Sequence, residues 1–271
     1  MSAEKPEIPV RARAQSPSLD FFHPRWPVLF EDNHLLVLYK PAGLIMQRGT
    51  PGKHNLVDLA KSWIKTRHAK PGKVFIGMVQ RLDAPVAGVV VLARTSKAAS
   101  RLSDQIRSGS VRKIYLAVVQ GRPAQEVGRL ENGLVRDGRL SRVVPLSQPG
   151  SQAASLTYRL LDRRRRDSLL EISLETGRRH QIRAQLAHLG CPILGDRTYG
   201  ASESLQHGRI ALIAHRLHLT HPTRKTPMIF EYPLPAAWPW PESPARGETP
   251  LWTIEELIAD GMQLPVRQLA G

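Results

Sequence analysis

The sequence predicts an α+β fold, in which helices flank one mostly antiparallel mixed sheet with a central active-site cleft. Three observations support this prediction. Short apolar or alternating segments are numerous, and segments with helical spacing of apolar residues are few. No internal repeat or long low-complexity tract is present. The 271 residues, 41 % of them hydrophobic, are also enough to bury a sizeable core.

In the first half of the chain, buried strands alternate with amphipathic helices. The apolar run 35–39 predicts a strand that ends at the proline- and glycine-containing segment 40–43. Apolar residues at helical spacing predict a helix over 56–64. A second buried strand is predicted at 89–92, followed by an amphipathic helix over 99–106.

After about residue 110 the pattern changes and strands dominate. Strands are predicted at 114–119, 155–161, 168–174, 210–219 and 228–232. One more helix is predicted over 182–189, with Gly190 as its C-terminal cap. Because short strands outnumber helices, the sheet is expected to be mainly antiparallel.

Three regions are predicted along the chain. Residues 1–25, rich in proline, serine and charge, form a flexible leader. Residues 26–240 form a single catalytic domain, and residues 241–271 form a C-terminal extension. A capping box that starts at Thr253 predicts a short helix within the extension, ending at Gly261.

The charge of the chain points to an anionic partner. The formal net charge is +16, from 39 lysines and arginines against 23 aspartates and glutamates. Such an excess favours a nucleic acid first and a membrane surface second. A GC-rich genome, which inflates arginine content, is the alternative explanation of the bias.

Other features of composition concern compartment and assembly. No apolar run approaches the roughly 20 residues that span a bilayer, and no N-terminal apolar signal core is present. The single cysteine, Cys191, allows no internal disulfide, and we expect it to be a small buried residue. We therefore expect a cytoplasmic protein with no membrane attachment. The sequence carries no signal of oligomeric state, and a monomer is the default expectation.

The first candidate catalytic residue is Asp83. It ends the segment Gln80-Arg81-Leu82-Asp83, just before an apolar strand, so its carboxylate is expected at the end of the sheet, facing a cleft. A buried carboxylate can act as a nucleophile or general base when a neighbouring group sets its pKa. The alternative is an ordinary turn or capping aspartate.

The second candidate segment, 176–183, contains three arginines, a histidine and a glutamine before a helical pattern. Arg179 and Arg183 are four residues apart, and we predict that they share one helical face, one pairing with a carboxylate and the other contacting phosphate. Arginines at a helix N-terminus oppose the helix dipole, so a compensating partner is expected. A solvated helix start is the alternative. The residues predicted to bind nucleic acid are Arg81, Arg178, Arg179, His180 and Gln181.

Three further features have ordinary structural explanations. Tyr115 lies within a predicted strand and is typical of core, although in a cleft it would stack on a base or move a proton. The four arginines 163–166 indicate a solvated hairpin turn, with backbone contact to nucleic acid as the alternative. His215, His218 and His221 suggest a metal site only weakly, and no metal is expected. No phosphate-binding loop or dinucleotide fingerprint is present.

Taken in order, these segments resemble the RluA-type RNA pseudouridine synthases over about residues 28–235. The segments that match the family pattern are 30–34, 40–43, 81–83, 113–117, 176–183, 192–200, 221–222 and 233–235. The resemblance implies isomerisation of a uridine to pseudouridine within tRNA or rRNA, with no cofactor. It implies the pseudouridine synthase fold as well.

The resemblance also implies residue roles. Asp83 matches the catalytic aspartate that attacks the flipped uridine or its sugar, so that the base detaches, rotates and rejoins through carbon. Tyr115 matches the tyrosine that stacks on the base and is implicated in proton removal. Arg183 matches the arginine that ion-pairs with the aspartate, and Arg81 matches the one that helps to hold the nucleotide out of the stack.

The sequence departs from the family pattern at three places. Gln80 stands where the family usually has histidine, and Val86-Ala87 where it usually has Thr-Ser. Ile213 stands where a His-Ala pair usually has its histidine. The first two changes remove polar groups around the catalytic loop, whose hydrogen bonds must then be made by other groups. The small basic RNA-binding module that many relatives carry in front of this domain is not expected here.

Three functional hypotheses follow. The first is an RNA pseudouridine synthase that depends on Asp83. The second, motivated by the departures, is a catalytically altered or inactive relative that binds RNA or assists its folding. The third is a glycosidase with Asp83 and Glu175 as its carboxylate pair, in which the strong positive charge has no role.

Overall fold

The structure is a computed structural model that describes residues 28–47, 54–235, 237–240 and 252–253. It confirms the predicted α+β class, because helices pack against one large mixed sheet. The predicted leader 1–25 and the helix predicted from Thr253 to Gly261, apart from Thr253 itself, fall outside the described residues.

The sheet contains eleven strands within the described residues. They are β1 Val28–Glu31, β2 Leu35–Lys40, β3 Gly77–Met78, β4 Ala87–Ala93, β5 Arg112–Gln120, β6 Val127–Asp137, β7 Leu140–Val144, β8 Gln152–Arg164, β9 Asp167–Leu174, β10 Leu212–Thr220 and β11 Pro227–Glu231. The helices are α1 Leu56–Arg67, α2 Ser96–Arg107 and α3 Gln181–His188, with 3₁₀ turns at Arg197–Tyr199 and Gln206–Gly208.

The strand order is β1-β2-β4-β10-β5-β9-β8-β6-β7, with β3 paired to β4 and β11 paired to β10. Among the strand pairs of the described residues, only β4–β10 is parallel, and the others are antiparallel. This parallel contact lies near the middle of the sheet and places the start of β4 beside β10. The loop that carries Asp83 therefore enters the sheet at its centre.

Local sequence explains the elements next to this centre. Every residue of β2 and β4 is buried, as their continuous apolar runs predict. The side chain of Asn55 accepts the backbone N–H of Asp58 and begins α1, and that of Thr95 accepts the N–H of Ala98 and begins α2.

Every strand and helix predicted within the described residues is present, with small differences in its bounds. The four arginines 163–166 end β8 and form the turn into β9, as predicted. Cys191 is buried, also as predicted. Strands β1, β3, β6 and β7 were not predicted. The residues of β6 alternate between exposed and partly buried over its first half, so it lacks the apolar run that marks a buried strand.

Within the described residues, none of the helices has the length and apolar character needed to span a bilayer.

Candidate active site

A cleft of about 420 Å³, open to solvent, brings together the two segments singled out from the sequence. Its lining comes from the loop before β4, from β5, from the end of β9, from the start of α3 and from β10. The lining residues are Arg81, Leu82, Asp83, Val86, Tyr115, Leu174, Gly177, Arg178, His180, Gln181, Ile182, Arg183 and Leu212.

Asp83 lies in this cleft with its side chain 27 % exposed. Nη1 of Arg183 donates to Oδ2 of Asp83 at 3.4 Å, and Nε2 of His180 lies 3.7 Å from the same oxygen. Asp83 and Arg183 are 100 positions apart in the sequence, and the fold brings them into contact. The carboxylate is therefore beside a cation and still reachable from solvent.

The backbone around Asp83 is fixed by hydrogen bonds rather than by the polar side chains of the family pattern. The N–H of Val86 donates to the carbonyl of Asp83 at 3.1 Å. The N–H of Gly43 donates to the carbonyl of Ala84 at 2.8 Å. We call residues 83–86 the catalytic loop and residues 41–43 the supporting loop.

The side chain of Lys40 connects these two loops. Its side chain is fully buried, and Nζ donates to the carbonyls of Pro41, Leu44 and Ala84 at 2.9, 2.7 and 3.1 Å. Burial lowers the pKa of Lys40 to about 7, with the negative charge of Asp83 acting in the opposite direction. The sequence analysis noted Lys40 only within segment 40–43, which ends β2 and matches the family pattern, and gave it no role at the site.

Arg183 is held by a second carboxylate that sequence reasoning did not identify. Nε and Nη2 of Arg183 donate to the two oxygens of Asp196 at 2.6 and 2.8 Å, a bidentate contact. Both side chains are buried, and the guanidinium lies 4.8 Å from the ring centre of Tyr199. Asp196 is within the matched segment 192–200, which was the available signal.

The electrostatic balance keeps Arg183 charged. Burial by itself disfavours the guanidinium charge. The hydrogen bonds and negative charge of Asp196, together with the charge of Asp83, outweigh burial and raise the pKa of Arg183. Asp196 therefore fixes a permanent cation beside Asp83, and the remaining Nη1 group of Arg183 is directed at the catalytic loop.

His180 occupies the junction between Asp83 and Tyr199. Its backbone has φ of 53°, in the left-handed region that is uncommon for a residue with a side chain. Nδ1 of His180 lies 3.0 Å from the hydroxyl of Tyr199, which also accepts the N–H of Ser141 at 2.9 Å. Burial lowers the pKa of His180, and the charges of Arg183 and Arg179 add to this effect against the opposing carboxylates.

The prediction that Arg179 and Arg183 share one helical face is wrong. α3 begins at Gln181, and the left-handed backbone of His180 turns the chain immediately before it. Arg179 therefore lies outside the helix, where its Nη2 donates to the carbonyl of Arg139 at 2.6 Å, in the β6–β7 turn.

The other residues predicted to bind RNA fall into two groups. Arg81 is exposed at the cleft and has no polar partner among the residues that the structure describes. Arg178 is exposed there too, with Nε donating to the carbonyl of Ala153 at 3.0 Å. Gln181 is buried, and its side-chain oxygen accepts the hydroxyl of Thr176 at 2.7 Å and the N–H of Arg178 at 3.0 Å. Through these hydrogen bonds the side chain of Gln181 holds the conformation of residues 176–181.

Tyr115 lines the cleft from β5 with only 7 % of its surface exposed. Burial raises the pKa of its hydroxyl above the ordinary value, and the negative charge of Asp83 raises it further. The hydroxyl therefore stays protonated near neutral pH. This environment suits a neutral aromatic surface against a base better than it suits a phenolate base.

The other candidate residues, which belong to the glycosidase hypothesis and to the weak metal-site suggestion, lie outside the cleft lining. Glu175 is absent from the cleft lining, and its carboxylate pairs with Arg129 at 2.9 Å. Nε2 of His221 lies 2.8 Å from Asp32, and Nε2 of His215 lies 3.4 Å from Glu231. Among the described residues, no three histidine, cysteine or acidic side chains are grouped as a metal site would require.

The cleft holds an acid beside a buried arginine and has exposed cations, and cations of this kind suit an anionic ligand such as a nucleic acid. The family model described as RNA pseudouridylate synthase matches residues 34–188, more than half of the chain. The chain belongs to this family, which confirms the resemblance found in the sequence.

Named relatives agree with this assignment. The chain is 36 % identical over 221 residues to ribosomal large subunit pseudouridine synthase D of Xylella fastidiosa, covering 77 % of this chain and 66 % of that protein. It is 41 % identical over 200 residues to an uncharacterized RNA pseudouridine synthase of Chloroflexus aurantiacus, covering 73 % and 62 %. The chain thus spans slightly less than two thirds of the length of these relatives.

Solved structures support the fold. The structure of human RNA pseudouridylate synthase domain containing 4 superposes with a TM-score of 0.65 at 25 % identity, covering 77 % of this chain and 88 % of that one. The structure of human RNA pseudouridylate synthase domain containing 1 gives a TM-score of 0.58 at 20 % identity, over 85 % and 92 % of the two chains. The second likeness concerns the fold alone.

Proposed function

We propose that this protein is an isomerase that converts a uridine within RNA to pseudouridine, with Asp83 as the catalytic residue. The observation that carries the proposal is the contact of Asp83 with Arg183 inside an open cleft with exposed arginines at its rim. Family membership gives the reaction class. The names of several bacterial relatives favour large-subunit ribosomal RNA over tRNA as the substrate, and hence a cytoplasmic location.

The reaction exchanges one bond for another within a single nucleotide. The N1–C1′ bond breaks, the base rotates, and a C5–C1′ bond forms; the C5 proton leaves and N1 gains a proton. No oxidant, reductant or co-substrate is consumed. Catalysis of this kind depends on orienting the base and on stabilising charge at the sugar, so positioned side chains are the main requirement.

In this proposal the cleft residues divide the work. The carboxylate of Asp83 attacks the nucleotide, and the guanidinium of Arg183, held by Asp196, lies beside that carboxylate and orients it. Tyr115, with its hydroxyl protonated, packs its neutral ring against the base. His180 contacts both Asp83 and Tyr199 and orders the rim of the cleft around the acid.

RNA binding and nucleotide extrusion are assigned to the exposed cations. The target nucleotide must leave its helix before Asp83 can reach the sugar, at a cost of a few kcal/mol. Contacts of Arg81 and Arg178 with phosphates would offset part of this cost. Arg179 extends the same basic surface toward the β6–β7 turn.

The test is tritium release from ribosomal RNA that carries 5-tritiated uridine, with wild type, Asp83→Asn and Glu175→Gln compared. Each variant replaces one carboxylate by an amide. We expect Asp83→Asn to abolish release and to keep RNA binding, because the amide is neither ionised nor nucleophilic. Glu175→Gln serves as the matched control and is expected to keep wild-type release.

Each other outcome decides against part of the proposal. Wild-type release by Asp83→Asn would remove Asp83 from its catalytic role. No release by the wild type from any cellular RNA, together with salt-dependent RNA binding, would favour the RNA-binding relative instead. Loss of release in Glu175→Gln would return the carboxylate-pair hypothesis to consideration.

A further inference from the structure

Trp252 is joined to the catalytic loop through two backbone hydrogen bonds one residue apart. The N–H of Ala42 donates to the carbonyl of Trp252 at 2.8 Å, and Ala42 also forms a parallel bridge with Thr253. The next residue, Gly43, donates its N–H to the carbonyl of Ala84 at 2.8 Å. Ala84 directly follows Asp83, so the supporting loop connects Trp252 to the catalytic acid.

The indole of Trp252 also contacts the opposite side of the site. Its side chain is 1 % exposed, and the guanidinium of Arg209 lies 4.4 Å from its ring centre. The carbonyl oxygen of Arg209 packs against Gly195. A Cβ atom at position 195 would lie 2.8 Å from this oxygen. The residue after Gly195 is Asp196, which holds Arg183.

These contacts place one residue between the supports of both partners in the Asp83–Arg183 pair: the backbone carbonyl of Trp252 binds the supporting loop, and its buried ring contacts Arg209. Asp83 itself is only loosely held, since its side chain is 27 % exposed and its contact with Arg183 is 3.4 Å long. Its position therefore depends on the backbone that carries it. Catalytic rates are sensitive to displacements of about 1 Å in such a constellation.

We propose that Trp252 is a positioning residue of this site: it fixes the supporting loop on one side and the Arg209–Gly195 contact on the other, and so sets Asp83 against Arg183. The kinetic part of this inference rests on the proposed function. Trp252 lies beyond the matched segments of the family pattern, so the device belongs to this chain's own C-terminal region.

The experiment compares Trp252→Ala and Trp252→Phe with Trp63→Ala in the full chain. Trp63 is a matched control because it is a buried indole, 3 % exposed, with the guanidinium of Arg67 at 5.2 Å from its ring centre. It lies in α1 and has none of the contacts that link Trp252 to the supporting loop. Three quantities are measured: kcat and KM for tritium release, amide hydrogen exchange of peptides covering 41–46 and 82–86, and Tm.

We expect Trp252→Ala to lower kcat about tenfold, with KM for RNA nearly unchanged, because the acid is displaced while the basic rim is intact. Exchange should rise in the supporting and catalytic loops. Trp252→Phe, which keeps an aromatic ring under Arg209, should restore most of kcat and of the protection. Trp63→Ala should lower Tm while keeping wild-type kcat and wild-type exchange in these two loops.

Two results would overturn the inference. One is wild-type exchange in both loops in Trp252→Ala. The other is an equal fall of kcat in Trp63→Ala, which would make the effect one of general stability. If the wild type releases no tritium from any RNA, the proposed function fails, whereas the exchange comparison still decides whether Trp252 positions the loop.

Discussion

The buried pair of Arg183 and Asp196 allows a sharp separation of stability from catalysis. Asp196 is 1 % exposed and makes two short charge-assisted hydrogen bonds with Arg183, which is itself 6 % exposed. Removing one partner of such a pair costs about 3–5 kcal/mol, because the other charge stays buried. In Asp196→Asn the amide keeps one acceptor oxygen, and Asp83 supplies part of the missing charge. We therefore expect Asp196→Asn to lower the free energy of unfolding by about 3 kcal/mol, the lower end of this range.

The same substitution at Asp83 should have the opposite effect: a small change in stability and a complete loss of activity. Asp83 is partly exposed and has one long contact with Arg183, so Asp83→Asn should change the free energy of unfolding by less than about 1 kcal/mol. Asp83→Asn should nevertheless abolish tritium release. Asp196→Asn should retain release, reduced by about a hundredfold, because a misdirected Arg183 no longer fixes the acid.

Urea unfolding and thermal unfolding of the two variants measure the stability difference directly. For a domain of this size, about 3 kcal/mol corresponds to a fall in Tm of roughly 6–12 °C. An Asp196→Asn protein within about 1 kcal/mol of the wild type would refute the argument from the buried pair. So would an Asp83→Asn protein destabilised as strongly as Asp196→Asn.

Three further predictions concern single side chains of the site. Burial lowers the pKa of Lys40 from 10.5 to about 7. Between these two pH values the lysine is protonated in the unfolded chain and mostly neutral in the folded protein, so wild-type stability should rise with pH. Urea titrations of the wild type and of Lys40→Met check this rise. The lowered pKa of His180 means that the wild type should lose stability relative to His180→Asn as the pH falls below 6.5, measured as the difference in Tm. Arg81→Ala should weaken RNA binding, reduce the salt dependence of log K by about one unit of slope, and leave Tm unchanged in matched titrations.

Elements with strong local patterns were predictable from the sequence. The fully buried strands β2 and β4 carry continuous apolar runs, and the capped helices α1 and α2 carry apolar residues at helical spacing. The β6–β7 hairpin was not predicted, because its exposed residues give no apolar run, and its pairing with β8 and packing on α3 decide its structure.

The candidate site was predictable where a residue type carried the signal, and not where tertiary contact did. The juxtaposition of Asp83 and Arg183 was predicted from the residues and their matched segments. The stronger bond of Arg183 to Asp196 was missed, because nothing in the chain between α3 and residue 196 encodes that contact locally. The wrong helical face assigned to Arg179 has a similar cause: a single left-handed residue, His180, delays the start of α3.

The departures from the family pattern acquire a physical explanation in the sheet. Ala87 and Ile213, which replace the usual serine and histidine, are register partners in the parallel β4–β10 pair, and both are buried. A single buried polar group without a partner costs about 1–3 kcal/mol, whereas exchanging both members for apolar residues leaves none unpaired. With Ala87 and Ile213 paired, neither residue brings a polar side chain into this buried strand contact. The catalytic loop accepts hydrogen bonds from Gly43 and Lys40 at the carbonyl of Ala84, so its backbone is held without those two polar side chains, as the proposed function requires.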